Sequence, residues 1–426
     1  MKKIILLLLV VIYNPSFSQS LINGELKNLL NQSLTYFPKV KEVEQSVQMA
    51  EDKLALTELN KYPDVTIDAS YAYVQPKIEV AFGDKAFQFS PEHNVSGALN
   101  GSYILFDFGR LASNIQKAKL EVQTSKHVAK QLEHSLFFQI SQLYYQIIYA
   151  KKAIEIQNQV IQLLAENKAI VDAQLKNGNA IQLDVLTIQS KIDNETNRKI
   201  EVETNLKKLL NLLKYATGVN NIQEGQLAIT LKNYTAEEAM QLAILHNPSL
   251  AIARDKVNVA KAEMTIAKLN ELPSIGLKAS VGSRNGYLPQ INDPRFNYNA
   301  GIGFSVPLFN GGKIKQQVKI QERSISLNET NVVAQLHDFE KDIQAALIDI
   351  KSNESRIKNA VSQIDQAALA QKLSVSKLKN GTTTPIEITS TNADYQRALL
   401  NQLQYQYQLC NAQLELIKLM GIELMD

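Results

Sequence analysis

The residues that could do chemistry in this chain are few and far apart. His127 and His134 stand seven apart in a run from Gly109 to Asn177 that holds no proline and no glycine after its first residue. Two helical turns separate them, so they share a face. Paired imidazoles on one face could pass a divalent metal ion along. No carboxylate or cysteine stands at a ligand-like spacing beside them, so a polar coiled-coil surface is favoured and no metal site is expected. Asp184 and Glu387 each fall six residues after a glycine of a turn, Gly178 and Gly381. At a helix start a carboxylate is stabilised by the positive end of the helix dipole, and solvated helix-start acids are the bland account of both. The "GGK" at Gly311 to Lys313 is no phosphate loop, because no G-x-x-x-x-G-K-[ST] occurs anywhere. Five histidines and one cysteine form no nucleophile-base set. No catalytic residue, cofactor or enzymatic activity is expected.

Composition narrows the class further. The chain opens "MKKIILLLLVVIYNPSFSQS": two lysines, an apolar run from Ile4 to Ile12, then Pro15 and small residues. That is the layout of a secretory signal peptide, with cleavage expected after Ser18. The run is too short to cross a bilayer, which takes roughly 20 residues, and no later stretch supplies one. A net charge of +3 over 426 residues argues against a nucleic-acid surface. The lone Cys410 excludes an internal disulfide and lies far from where a lipid-accepting cysteine would be. Tryptophan is absent while glutamine and asparagine are abundant, which suits long two-faced helices.

The elements that must hold these residues are written twice. Phe106 and Phe309, the two "LKNG" segments at Leu175 and Leu378, and Gly218 and Gly421 are separated by one common spacing. Pro38 with Pro248, and Pro63 with Pro273, share a slightly larger one, so a loop between Pro63 and Phe106 is longer in the first copy. Each copy reads as helix, strand, loop, strand, very long helix, turn, helix. Val65, Ile67, Ala69, Tyr71 and Tyr73 alternate with polar or small residues, as do Val95, Leu99, Tyr103 and Leu105. Ile275, Leu277, Ala279 and Val281, then Tyr298, Ala300, Ile302, Phe304 and Val306, repeat the pattern. Period-two alternation over about ten residues is a strand with one apolar and one polar face.

Gly109 to Asn177 would make a rod on the order of 100 Å long at 1.5 Å per residue. Leu136, Ile140, Leu143, Ile147, Ala150, Ile154, Ile161 and Leu164 step by three, four or a heptad, which predicts a coiled-coil seam. The chain turns at Asn177-Gly178 and returns along a helix from Leu183 to Gly218. Gly312 to Asn380 is the second long rod. A strand feeding into such a helix must bend sharply, which assigns Gly109, Gly311 and Gly312 to the strand-to-helix junctions. Pro307 ends ladder pairing beside the second junction. The expected division is signal peptide 1–18, first repeat 19–218, linker 219–235 with a short strand, second repeat 236–421 and tail 422–426. A capping box, Thr235 with Glu238, starts the helix after the linker.

Four strands of this kind in an exported chain look like part of a transmembrane barrel, yet four cannot close one. Two copies would supply eight strands and three would supply twelve, where a lumen begins. With its signal peptide, its "LFDFGR" and "PLFNGGK" junctions, "FP" and "HNPSL" at the helix starts, "LKNGNAIQLDVL" at the turn, and "ATG" and "LMG" at the repeat ends, the sequence resembles the TolC family of outer-membrane efflux channels. The resemblance implies a mainly α fold with a β-barrel portion. That means a long coiled-coil helical tunnel in the periplasm, four transmembrane strands per chain, and a twelve-strand barrel in the outer membrane as a homotrimer with an internal two-fold repeat. It implies docking to a periplasmic adaptor (membrane fusion) protein and an inner-membrane pump of RND or ABC type, with outer-membrane lipid around the barrel and no nucleic acid. Asp184 and Glu387 map onto the family's gate, and Gly178, Asp184, Val185, Leu186 and Gly381 onto its adaptor-docking tip. "TTTPIEITS" departs from the family pattern, lacking an arginine that often links the gate and carrying Pro385. Three copies of Glu387 on a narrow axis would raise one another's pKa. Small molecules or polypeptides are the expected cargo. The alternative from another class is a secreted or periplasmic coiled-coil structural or adaptor protein without a pore.

Overall fold

A computed structural model describes residues 22–83, 85–223 and 225–424. The expected signal peptide and the last two residues of the expected tail lie outside them. In chain order the elements are α1 (Gly24–Tyr36), α2 (Pro38–Leu59), β1 (Asp64–Tyr73), β2 (Glu79–Phe82), β3 (Lys85–Gln88), β4 (His93–Phe106), α3 (Arg110–Lys176), α4 (Gln182–Thr217), α5 (Ala236–His246), α6 (Pro248–Leu269), β5 (Ser274–Arg284), β6 (Arg295–Ser305), α7 (Lys313–Lys379) and α8 (Pro385–Met420). Both long helices have 67 residues and both returning helices have 36. The chain forms two compact units, each drawing on both halves: residues 42–129 with 249–336, and residues up to 41 with 130–248 and 337–426.

In the first of these units the four long strands make one antiparallel sheet in the order β1-β4-β5-β6. Directly opposed residues share a face. Ile67 opposes Leu99, Leu99 opposes Val281, and Val281 opposes Tyr298, an apolar row across all four strands. The row beside it on the other face is Thr66, Asn100, Ser280 and Asn299. The apolar face is bare: Ile67 is 80% and Tyr298 79% exposed. The polar face ties itself together, with Asn100 Nδ2 donating to Asp68 Oδ2 at 2.6 Å. The longer first loop contains the small hairpin β2-β3, in which Val80 opposes Phe87. Gly83 at φ 60° allows its turn.

Both strand-to-helix junctions lie in this unit. Gly109, Gly311 and Gly312 have φ of 86°, 61° and 77°, the left-handed region that favours glycine. Asp107 caps α3: its Oδ1 accepts from the Gly109 amide at 3.0 Å and its Oδ2 from the Leu111 amide at 2.6 Å. Asn310 does the same for the Gly312 amide at 3.1 Å. Pro307 follows the end of β6, where no ladder amide is required.

The second unit has the thicker core. Leu26 and Leu30 of α1, Ile140, Tyr144, Tyr145 and Ile147 of α3, Ala239 of α5, and Leu414 and Ile417 of α8 pack in one cluster. Burying a Leu or Ile of this kind contributes roughly 1.5–3 kcal/mol. Helix α1 has no counterpart in the sequence reading; Asn23 caps it by accepting from the Leu26 amide at 2.8 Å. The linker expected to hold a short strand has none among its described residues. Its backbone is satisfied by side chains instead of by a neighbouring strand: Lys151 Nζ donates to the Ile222 carbonyl at 2.5 Å and the Tyr145 hydroxyl to that of Ala228 at 3.2 Å. Ile222 and Ile229 are buried, anchoring the linker on the core. The capping box forms as expected, Glu238 N to Thr235 Oγ1 at 3.2 Å and Thr235 N to Glu238 Oε2 at 2.9 Å.

Of the expected coiled-coil seam, Leu136, Ile140, Ile147, Ala150 and Leu164 are buried, and the departure is confined to the stretch after Ala150. Ala153, Gln157, Val160, Leu164, Asn167 and Val171 are buried at steps of four and three, while Ile154 and Ile161 are only half-buried. Two polar side chains therefore occupy seam positions.

Candidate functional site

Two turns and a polar seam in the second unit concentrate the candidate residues. The α3-α4 turn and the α7-α8 turn are built alike. Gly178 at φ 77° donates to the Leu175 carbonyl at 3.0 Å, and Gly381 at φ 67° to that of Leu378 at 3.0 Å. A Cβ on either glycine would meet nothing within 4 Å, so the positive φ alone calls for glycine. Gln174 Nε2 donates to the Leu378 carbonyl at 2.6 Å and bridges the two turns. Beneath them Val171, Val185, Ile188, Leu378 and Ile388 form a small buried cluster.

That packing separates the tip residues. Val185 is inside the cluster at 8% exposure, whereas Leu186 is 55% exposed. Leu183 and Ile386, one residue before each acid, are also exposed. Asp184 accepts from the Ile181 amide at 3.1 Å and so caps α4. Glu387 is held by its own turn: Thr383 Oγ1 donates to Oε2 at 2.5 Å, and Lys377 Nζ lies 3.7 Å from Oε1. The Thr383 hydrogen bond and the Lys377 charge pull its pKa below the ordinary carboxylate range. Within one chain the shift therefore runs opposite to the one expected from clustered copies.

Further along the seam, Glu195 of α4 is 7% exposed and fully satisfied. Gln157 Nε2 of α3 donates to its Oε2 at 2.5 Å, Gln396 Nε2 of α8 to the same oxygen at 2.7 Å, and Arg198 Nη1 to Oε1 at 2.8 Å. Gln396 also donates to Gln157 Oε1 at 3.0 Å, so three helices meet at one carboxylate. Residue spacing alone could not find this group, because its members come from separate helices.

The two histidines do unrelated things. His127 Nδ1 meets the buried Asp255 of α6 at 2.5 Å, a carboxylate no sequence spacing could supply, and Gln123 donates to the same side chain. His134 Nε2 lies 3.1 Å from the Ile422 carbonyl. Among the described residues no group of three or more His, Cys, Asp or Glu gathers as a metal would require. No described helix is long and apolar enough to cross a membrane.

The fold built from these strands, junctions and long helices has counterparts among solved outer-membrane channels. The structure of the outer-membrane channel OprN superposes with a TM-score of 0.83 at 16% identity, over 97% of this chain and 95% of that one. The fold is thus that of an outer-membrane channel protein. The family model described as outer membrane efflux protein matches residues 29–219 and 239–422, and the chain belongs to that family. Its place is the outer membrane, with the helical portion in the periplasm. Among curated relatives, the cation efflux system protein CusC of Escherichia coli K12 is 20% identical over 344 residues, 78% of this chain and 72% of that protein. The alkaline protease secretion protein AprF of Pseudomonas aeruginosa is 26% identical over 220 residues. That match spans 49% of this chain and less than half, 45%, of AprF.

Proposed function

We propose that three copies of this chain form the outer-membrane channel of a tripartite efflux or secretion system, with β6 of each copy pairing with β1 of the next to close twelve strands. The alternation of apolar and polar rows across all four strands carries this reading, since within one chain β1 and β6 are left as edges. A closed barrel removes such edges and gives the apolar face to lipid and the polar face to a lumen. A pore-free coiled coil would leave that exposed apolar face without a reason. Helix α7 supports a neighbour as well: Ile320 and Leu327, and separately Ile348 and Leu369, stand at multiples of seven and are all exposed. Heptad-spaced apolar residues want a partner helix. The equal lengths of the paired helices support an internal repeat of 19–218 and 236–421 about the linker 219–235.

The tip turns dock a periplasmic adaptor that links to an inner-membrane pump of RND or ABC type. Leu186, Leu183 and Ile386 supply the apolar contact, Val185 supports them from beneath, and Gly178 and Gly381 set the turns. Asp184 and Glu387 line the gate. The relatives' names divide between a secreted protease and cations, so the cargo class spans polypeptides and small solutes. This chain's own part in the transport calls on no catalytic residue and no cofactor. Mass determination of the detergent-extracted protein, paired with single-channel recording, tests the reading. Three copies and discrete conductance steps are expected, and a stable, silent monomer would overturn it.

A further inference from the structure

The polar face of the sheet contains one pairing that works against its own stability. Arg284 of β5 and Arg295 of β6 are directly opposed, and like charges so placed repel. Across the rest of that row stand Ser96 and Ser70, whose hydroxyls bond to each other at 2.8 Å, so the row holds no carboxylate. Neither arginine is ion-paired among the described residues. The carboxylate one polar row away on β1, Asp68, is already engaged by Thr66 Oγ1 and Asn100 Nδ2. Lys278, farther down the same face of β5, adds a third positive charge.

Both guanidinium groups are nevertheless held in place, by neutral partners. Arg284 Nε donates to the Tyr287 hydroxyl at 2.9 Å, and its guanidinium carbon sits 5.0 Å from the centroid of that ring. Arg295 Nη1 donates to the Leu288 carbonyl at 3.1 Å, and Nη2 to the side-chain oxygen of Gln290. Such anchors orient a guanidinium without cancelling its charge. Phe296 and Tyr298, the lipid-type residues of the same strand, belong to the other face. The guanidinium pair therefore addresses solute and not lipid.

We infer that Arg284 and Arg295 form an anion-recognition site on the lumen wall at the loop end of the barrel, taking the carboxylate or phosphate groups of solutes in transit. The inference rests on the barrel reading above, in which each of three copies adds two guanidinium groups to one ring. Guanidinium forks match carboxylate and phosphate oxygens in pairs, and a ring of one sign inside a narrow lumen concentrates counter-ions. The repulsion between Arg284 and Arg295 is relieved when an anion bridges them.

The test is planar-bilayer recording of the full-length protein in a potassium chloride gradient, with and without inorganic phosphate on the loop side. The double variant R284Q/R295Q is expected to lower the chloride-to-potassium permeability ratio by at least about threefold and to remove phosphate block. R284K/R295K, which keeps the charge, should stay close to the parent in permeability ratio. Channels of the Gln variant with an unchanged ratio and unchanged block would overturn the site while leaving the channel itself intact. A Lys variant as altered in ratio as the Gln variant would overturn it too, since charge would not be the cause. No conductance from the parent chain would overturn the barrel reading and the ring together.

Discussion

Gln396 of α8 donates a hydrogen bond of 2.7 Å to Glu195 of α4 inside a seam that heptad spacing reserves for apolar side chains. Gln157 of α3 completes the group, so one buried carboxylate ties three helices at a fixed register. A polar group at a seam position gives up some burial energy and specifies which residues must face one another.

Glu195→Ala removes the acceptor the two buried amides share, leaving Gln157 Nε2 with the backbone carbonyl of residue 195 and Gln396 Nε2 with Gln157 Oε1, at a cost of about 2 kcal/mol. Arg198, whose side chain is 64% exposed, contributes only a surface contact to the same carboxylate. Thermal unfolding in detergent should show a marked drop in Tm for Glu195→Ala and little change for Arg198→Ala. Equal small drops would mean that the group does not hold the seam.

This seam also marks what the sequence could and could not reveal. The strands were legible because alternation survives where a sheet keeps one apolar and one polar face, and the opposed residues Ile67, Leu99, Val281 and Tyr298 are apolar in every strand. The junctions were legible because few residues other than glycine accept the φ of Gly109, Gly311 and Gly312. The seam was legible in part: Leu136, Ile140, Ile147, Ala150 and Leu164 are buried where apolar spacing puts them, whereas Ile154 and Ile161 are half-buried and the polar Gln157 and Asn167 are inside. At the tip a single step along α4 separates Val185, inside, from Leu186, outside, and helix phase cannot be fixed that finely from a motif. The partners of Glu195, of His127 and of the linker carbonyls come from distant segments. No local pattern encodes them.

His134 gives the stability a pH dependence. Burial is the main cause that pushes its pKa below the ordinary histidine value, against the pull of the Ile422 carbonyl and Glu423, while Lys130 and Lys418 push the same way as burial. A base depressed in the folded state binds its proton more readily when unfolded, so this contribution is complete above the unfolded pKa and is lost as pH falls below it. Taking the pH from about 7.5 to about 5.5 should lower Tm more in the parent than in His134→Gln. Glu423, depressed by the Lys130 hydrogen bond, titrates below that window. Parallel pH curves for the two proteins would rule out His134 as the cause.

Thr383 and Lys377 favour the ionised form of Glu387, the residue proposed for the gate. Block of single-channel current by added divalent cations should persist when the pH is lowered to about 5.5, because a depressed carboxylate has not yet taken up its proton there. Glu387→Ala should weaken that block, while the control Glu322→Ala on α7 should not. Undiminished block in Glu387→Ala channels would take this residue out of the pore.

For docking, Leu186→Asp puts a charge on an exposed position without disturbing the cluster beneath it, where Val185 lies. Export in cells should be abolished while assembly and outer-membrane insertion remain at parental levels. Unaffected export would place the adaptor contact elsewhere.

Barrel closure between copies is tested most directly by disulfide cross-linking of the two sheet edges. Cysteines at Thr66 or Ser70 of β1 would be combined with one at Asn297, Asn299 or Gly301 of β6, all on the polar face. Native Cys410 does not compete, as it is 1% exposed and burial pushes its thiol up to about 12. Oxidation of intact outer membranes should give, for at least one pair, a ladder that stops at three linked chains. Monomer alone for every pair, or a ladder that continues past three, would contradict a closed trimeric barrel.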